Sequence, residues 1–298
     1  MQTGILYALA AYLLWGLLPL FLKQLHGIPP TEVLLHRMVW SLVFLGAILA
    51  VRRHWRWLGG ALRDKALLAR FAASALLLAI NWFTYIWAVN ADRVIDASLG
   101  YFINPLISVL MGVILLRERL RLGQWLAVAV AACGVAWLTW QAGQLPWIAL
   151  TLALSFGFYG LLRKTAQLGA LEGLSLETLI FFPVAGGALA WLLGSGEAGF
   201  DTASSWVQLL CLMAGPFTAV PLLLFAAAAR RLPLSLLGIL QYSGPTVQLL
   251  LGIFLWHEPF SDAKALGFAL IWAALALYTL EGWWTGRMRG RPANANQA

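Results

Sequence analysis

The chain has 298 residues, of which 61% are hydrophobic and only 11% charged, with a mean hydropathy of +0.81. A soluble domain carries about 25% charged residues, so a water-soluble enzyme or binding module is excluded and a membrane protein with many spans is expected. The net charge of +8 would suit a nucleic-acid binder only if the basic residues formed an exposed face; here they punctuate apolar runs, and no nucleic-acid partner is expected.

A spanning helix needs about 20 mainly apolar residues. The opening run MQTGILYALAAYLLWGLLPLFLK meets that length and lacks a basic leader, so it reads as a retained first span over 4–22 rather than a signal peptide. Tyr12 and Trp15 on it are secondary candidates for a binding site. The second span, 33–51, contains the puzzle TEVLLHRMVWSLVFLGAILA, in which His36 and Arg37 precede a long run without an ionisable group. Arg37 lies near enough to one end to snorkel outward. The alternative is that it lines a water-filled cavity and is paired there. On that reading Asp96, at the same face, is its expected partner, and its planar fork of donors can also take a carboxylate.

The third span, 67–89, carries Asn81, Trp82 and Tyr85, with Asn81 and Tyr85 four apart on one helix face. These residues suit a partly aromatic ligand, although an interhelical Asn hydrogen bond explains Asn81 equally well. In the fourth span, 97–116, Tyr101 and Asn104 stand just before Pro105. The fifth span is 122–141. Spans at 145–162 and 173–193 follow, with Tyr159 a minor candidate in the sixth and Glu177 a substrate-binding candidate in the seventh. After an eighth at 206–228, the ninth, 234–256, sets Gln241 and Tyr242 before Pro245, and the tenth is 262–281. The prolines are expected to kink their helices and free the carbonyls of Tyr101 and Gln241; prolines are also common in membrane helices for no functional reason.

Displacing the sequence by 140 residues lays NPLISVLMGVILLRERL over GPTVQLLLGIFLWHEPF. Pro105 falls on Pro245, Glu118 on Glu258, Glu32 on Glu172 and Arg37 on Glu177. Residues 1–141 and 142–281 therefore read as two copies of five spans each, with 282–298 a basic tail. An odd span number inverts one copy relative to the other, the plan of many secondary transporters, whose site lies at the midplane between the copies. With the N-terminus in the cytoplasm, sixteen of the twenty basic residues fall in inner loops or the tail and three in outer loops, with Arg37 inside a span. The positive-inside rule then places both termini in the cytoplasm. Glu118, flanked by Arg117, Arg119 and Arg121, reads as a structural loop clamp, and Cys133 and Cys211 as packing residues.

The segments NWFTYIWAVN (81–90) and ASLGYFINPL (97–106), with His36–Arg37 and the matched prolines and glutamates, resemble the RarD group in the EamA branch of the drug/metabolite transporter superfamily. The resemblance runs through essentially the whole chain. It implies an all-α inner-membrane permease with ten transmembrane helices as two inverted EamA-like five-helix repeats, exporting amino acids or other small metabolites. No cofactor or metal is expected, since His26, His54 and His257 show no ligand spacing. The expected partners are a small-molecule substrate and membrane lipids. A coupling proton or a counter-substrate and the oligomeric state stay open. An intramembrane enzyme acting on a lipid or isoprenoid is the competing class, but the chain has no HExxH, GxSxG or Gly-rich nucleotide motif.

Overall fold

The computed structural model describes residues 2–25, 27–90, 94–141, 147–255, 257 and 262–289. In chain order the helices are α1 (Gln2–Gln24), α2 (Pro30–Val51), α3 (Arg56–Arg63), α4 (Lys65–Asn90), α5 (Val94–Ile114), α6 (Leu122–Gln141) and α7 (Trp147–Lys164). They continue as α8 (Ala170–Ser195), α9 (Gly199–Thr202), α10 (Ser205–Ala229), α11 (Leu234–Gln241), α12 (Ser243–Phe254) and α13 (Asp262–Arg289). Among the described residues no strand occurs, so the fold is all-α. Eight stretches are long and apolar enough to cross a membrane: α1, α2, α4, α6, α8, α10, α11 and α12 taken together, and the apolar part of α13. Helices α5 and α7 occupy the expected fourth and sixth spans; the first holds a shorter apolar stretch over 100–114 and the second ends in Arg163 and Lys164. Only a helix satisfies its own backbone groups in hydrocarbon, which is why such apolar runs fold this way.

The connectors expected as plain loops contain the short helices α3 and α9, and two glutamates 140 residues apart secure them reciprocally. Glu32 on α2 accepts the N–H groups of Gly199 and Phe200 at 2.9 Å each, capping α9. Glu172 on α8 meets His54 Nε2 at 2.8 Å just before α3. Each half thus holds the connector of the other. A third carboxylate does the same for another short helix: Glu118 Oε1 accepts the N–H of Leu234 at 2.6 Å, and its Oε2 accepts the N–H and hydroxyl of Ser235 at 2.9 and 2.7 Å. A negative charge on free N–H donors at a helix start is favourable, so Glu118 is the cap that starts α11. Its counterpart Glu258 lies outside the described residues, as does His26.

Close crossings rest on glycine. A Cβ at Gly215 on α10 would stand 2.3 Å from the carbonyl of Trp40 on α2, and one at Gly238 on α11 would stand 2.6 Å from the carbonyl of Pro105 on α5. Small residues let helix backbones approach in a membrane, where apolar side chains gain nothing by leaving lipid. Helix α5 packs on α7 and α11, α10 on α1 and α2, α2 on α8, and α6 on α13. Cys211 is buried in a cluster with Phe21 and Val33, but Cys133 is exposed on α6, so packing accounts for only the first.

Candidate functional site

The helices around α1 enclose a cavity of about 130 Å³, close to the size of the ~150 Å³ space that admits a benzene ring. On α1 its lining runs from Tyr12, mid-helix, to Leu22, two residues before the helix ends. The cavity therefore extends from the middle of the bundle towards the Gln24 end. Rings pack at its deep end. Trp15, Phe156 and Phe225 stand 5.1 to 5.7 Å from one another centre to centre, and Tyr159 stacks on Phe225 at 6.0 Å. Tyr12 joins this group and donates its hydroxyl to the carbonyl of Leu237 at 3.0 Å.

Arg37 lines the cavity rather than escaping along its wall. Its Nε donates to Thr218 Oγ1 on α10 at 2.9 Å, and its Cζ lies 5.2 Å from the ring centre of Trp82. A guanidinium over an indole face is an attractive cation–π arrangement. The two terminal nitrogens make no hydrogen bond to the described residues. The expected partner Asp96 sits in α5, but its side chain is outside the described residues. Tyr85 and Tyr101 face each other nearby with ring centres 6.1 Å apart.

Asn81, Trp82, Tyr85, Tyr101, Asn104 and Gln241 all reach the cavity with Arg37. Their roles within it differ. Asn81 uses its amide N–H groups on the carbonyl of Leu152 at 2.9 Å and the hydroxyl of Ser155 at 3.1 Å, tying α4 to α7. Asn104 is the opposite case: buried, lining the cavity, and with no hydrogen-bond partner for its Oδ1. A buried acceptor left unsatisfied is costly, which makes it a receptive group for a donor entering the cavity.

Two expected residues do not line it. Tyr242 is 1% exposed and donates to the carbonyl of Phe102 at 3.2 Å, because the residue after Gln241 turns by about 100° to another face of the helix. Glu177 lies behind the cavity wall, where Ser74 Oγ donates to its Oε1 at 2.5 Å, Tyr159 Oη stands 3.5 Å from its Oε2 and Arg163 Nη1 is 3.5 Å from Oε1. No ion pair joins Glu177 to Arg37, the residue 140 positions before it. Of the kink residues, Pro245 lines the cavity and Pro105 does not. The helix interrupts at Tyr242, between α11 and α12, but α5 continues through Pro105.

Thr218 and Gln248 belong to the cavity although the sequence did not single them out. Gln248 Nε2 donates to the carbonyl of Trp15 at 3.2 Å. Each is one of a few neutral polar residues in an apolar helix, a signal too common to select from the sequence by itself. Among the described residues no group of three His, Cys, Asp or Glu side chains is placed to hold a metal ion.

Residues 2–140 match the model of the EamA-like transporter family. A transporter of Bacillus subtilis strain 168, named as uncharacterised transporter YojE, is 47% identical over 93% of this chain and 94% of its own length. Protein RarD of Streptomyces exfoliatus is 44% identical over 96% of this chain and 91% of its own. One solved chain, described only as a protein crystal structure, superimposes with a TM-score of 0.69 at 21% identity, covering 93% of this chain and 98% of that one, and so shares the fold.

Proposed function

The chain belongs to the EamA-like transporter family, in its RarD group, and is a bacterial multi-pass membrane transporter; from that premise we propose that it is an inner-membrane secondary permease exporting small aromatic metabolites, amino acids among them. The observation that carries the substrate class is Arg37, the one cation among the described residues that line the cavity, with Trp82, Tyr85 and Tyr101 around it and terminal nitrogens that bond to none of the described residues. A carboxylate pairs with the guanidinium fork and an aromatic body packs on the rings. Asn104 Oδ1, without a partner, suits the N–H of an amino group.

Alternating access follows from ten spans arranged as two inverted repeats, residues 1–141 and 142–281, with both termini and the tail 282–298 cytoplasmic. The cavity lining supports this arrangement, for Tyr12 and Leu152, Trp82 and Leu222, Tyr101 and Gln241, and Asn104 and Gly244 are each 140 residues apart and all line it. Corresponding residues of two copies meet only near the axis relating them. On this reading the Gln24 end of α1 faces outward, the cavity opens outward, and the aromatic block closes it from the cytoplasm.

Counterflow of radiolabelled L-phenylalanine in proteoliposomes tests the assignment. Arg37→Lys keeps the charge and loses the fork, so it should insert normally and transport poorly; Arg37→Ala should not transport at all. Wild-type counterflow by Arg37→Ala, at wild-type protein level, would remove Arg37 from the substrate site.

A further inference from the structure

Behind the cavity wall lies a charged group that substrate binding does not use. Glu177 and Arg163 are each 1% exposed, Glu177 on α8 and Arg163 in the last turn of α7. A structural ion pair at such a depth is expected to be bidentate and fully hydrogen-bonded. This one is not: Arg163 Nη1 approaches Glu177 at 3.5 Å without a hydrogen bond, and Nε also lacks a partner, while Nη2 donates to the carbonyl of Ala170 at 3.1 Å. The carboxylate is held by Ser74 and Tyr159 and only attracted by Arg163.

Its position relative to the cavity is equally specific. A void of about 10 Å³ touches Glu177, and Trp82, Thr218 and Leu222 line both that void and the cavity. The volume is about the least that admits one water molecule. It is too small for a substrate, yet wide enough for a proton carrier. From α7, Arg163 and Tyr159 face Glu177; from α4, Ser74; from α2 and α10, Ser41 and Thr218 line the void, with Arg37 on the cavity side of Thr218. Glu177 is also the residue 140 positions from Arg37. In a protein of two inverted copies, the place that carries the cavity's cation on one side thus carries a carboxylate on the other.

We propose that Glu177 is a proton-binding site that couples turnover of the cavity to a proton gradient. The proposal rests on the transporter reading above. With the cavity open outward, a proton from the outer water crosses the void and bonds to a carboxylate oxygen of Glu177. The loss of negative charge leaves Arg163 buried without compensation, which is strongly unfavourable, and this favours separation of α7 from α8 and opening of the cytoplasmic side. There the proton passes to water, the carboxylate re-forms, and Arg163 is attracted back. One proton moves inward per cycle while the substrate moves outward.

The test uses full-length protein with Glu177→Gln, and with Glu177→Gln/Arg163→Gln so that no unpaired charge can cause misfolding. In proteoliposomes the probe is radiolabelled L-phenylalanine, measured as counterflow without a gradient and as accumulation driven by a pH gradient. Both variants should lose gradient-driven accumulation while counterflow continues; accumulation at the wild-type level in either would overturn the proposal. A second arm needs no substrate: infrared difference spectra of the protein in lipid nanodiscs between acid and alkaline pH. Beyond the bands common to all three proteins, the wild type should show a protonated-carboxyl band that disappears as pH rises and is absent from both variants. The same band in the variants would refute protonation at Glu177. If wild-type vesicles do not move L-phenylalanine, the substrate reading fails and the infrared arm decides this one.

Discussion

Helix α5 and the pair α11–α12 occupy corresponding places 140 residues apart, and each has a proline at the matching position, yet only one of them breaks. Helix α5 runs unbroken through Pro105 from Val94 to Ile114, whereas the counterpart stops at Gln241 and restarts at Ser243. Proline by itself therefore does not decide the outcome. The residues before it do: Ile103–Asn104 in the first half, Ser243–Gly244 in the second. A Gly/Ser pair is among the few sequences that kink a helix sharply. Here Ser243 Oγ donates to the carbonyl of Leu240 at 2.8 Å, and the N–H of Tyr242 tightens onto Ile239 at 3.3 Å. The hydroxyl and N–H of Thr246 both take the Tyr242 carbonyl, at 2.8 and 3.2 Å. Backbone groups released by the break are satisfied locally, which is what allows irregular backbone at this depth.

The contact between these two elements is where the comparison breaks most severely. Gly238→Val drives a branched side chain against the Pro105 carbonyl, already only 2.6 Å from the position of a Cβ. Overpacking of this kind costs about 1–3 kcal/mol, and the rigid backbone on the other side puts the loss at the upper end. A thermal melt in detergent should show a markedly lower midpoint, and an unchanged one would mean that α11 and α5 separate freely. Glu118→Ala comes next. It strips the cap from α11 while leaving α5 intact, at a cost of about 0.5–2 kcal/mol for a lost N-cap. Limited proteolysis should then cut near 230–234 sooner than in the wild type, with the segment at 90–94 unchanged. The smallest effects on stability belong to the prolines. Pro105→Ala restores a donor inside a continuous helix and Pro245→Ala leaves the Ser243–Gly244 break in place, so both melts stay near the wild type. Counterflow should nevertheless fall further in Pro245→Ala, because Pro245 and Gly244 form part of the cavity wall. Equal losses would mean that the two helices move alike.

The sequence made Arg37 conspicuous because a cation in an apolar helix needs a partner or water, and the structure gives it Thr218, Trp82 and a cavity. Aromatic and amide residues of the third and fourth spans were legible for a similar reason, as costly groups gathered on one helix face. Thr218 and Gln248 were not, since a single hydroxyl or amide in a membrane helix bonds to a neighbouring carbonyl as readily as to a ligand. Tyr242 was misplaced because adjacency in sequence is not adjacency on a helix face. Glu177 shares a 140-residue register with Arg37, but such a register says nothing of contact between the two residues. The short helices α3 and α9 escaped because neither has the length for a periodic pattern to show.

The capping of α11 by Glu118 has a consequence for how the protein is made. Helix α11 has eight residues, about 12 Å at 1.5 Å per residue, far short of a bilayer, and its first N–H groups are satisfied by a side chain from the other half of the chain. The ribosome delivers Glu118 more than a hundred residues before Leu234 emerges. During synthesis the carboxylate that caps α11 is therefore present before the N–H groups it accepts. Assembly acquires a direction, with Glu118 placed before the helix it caps.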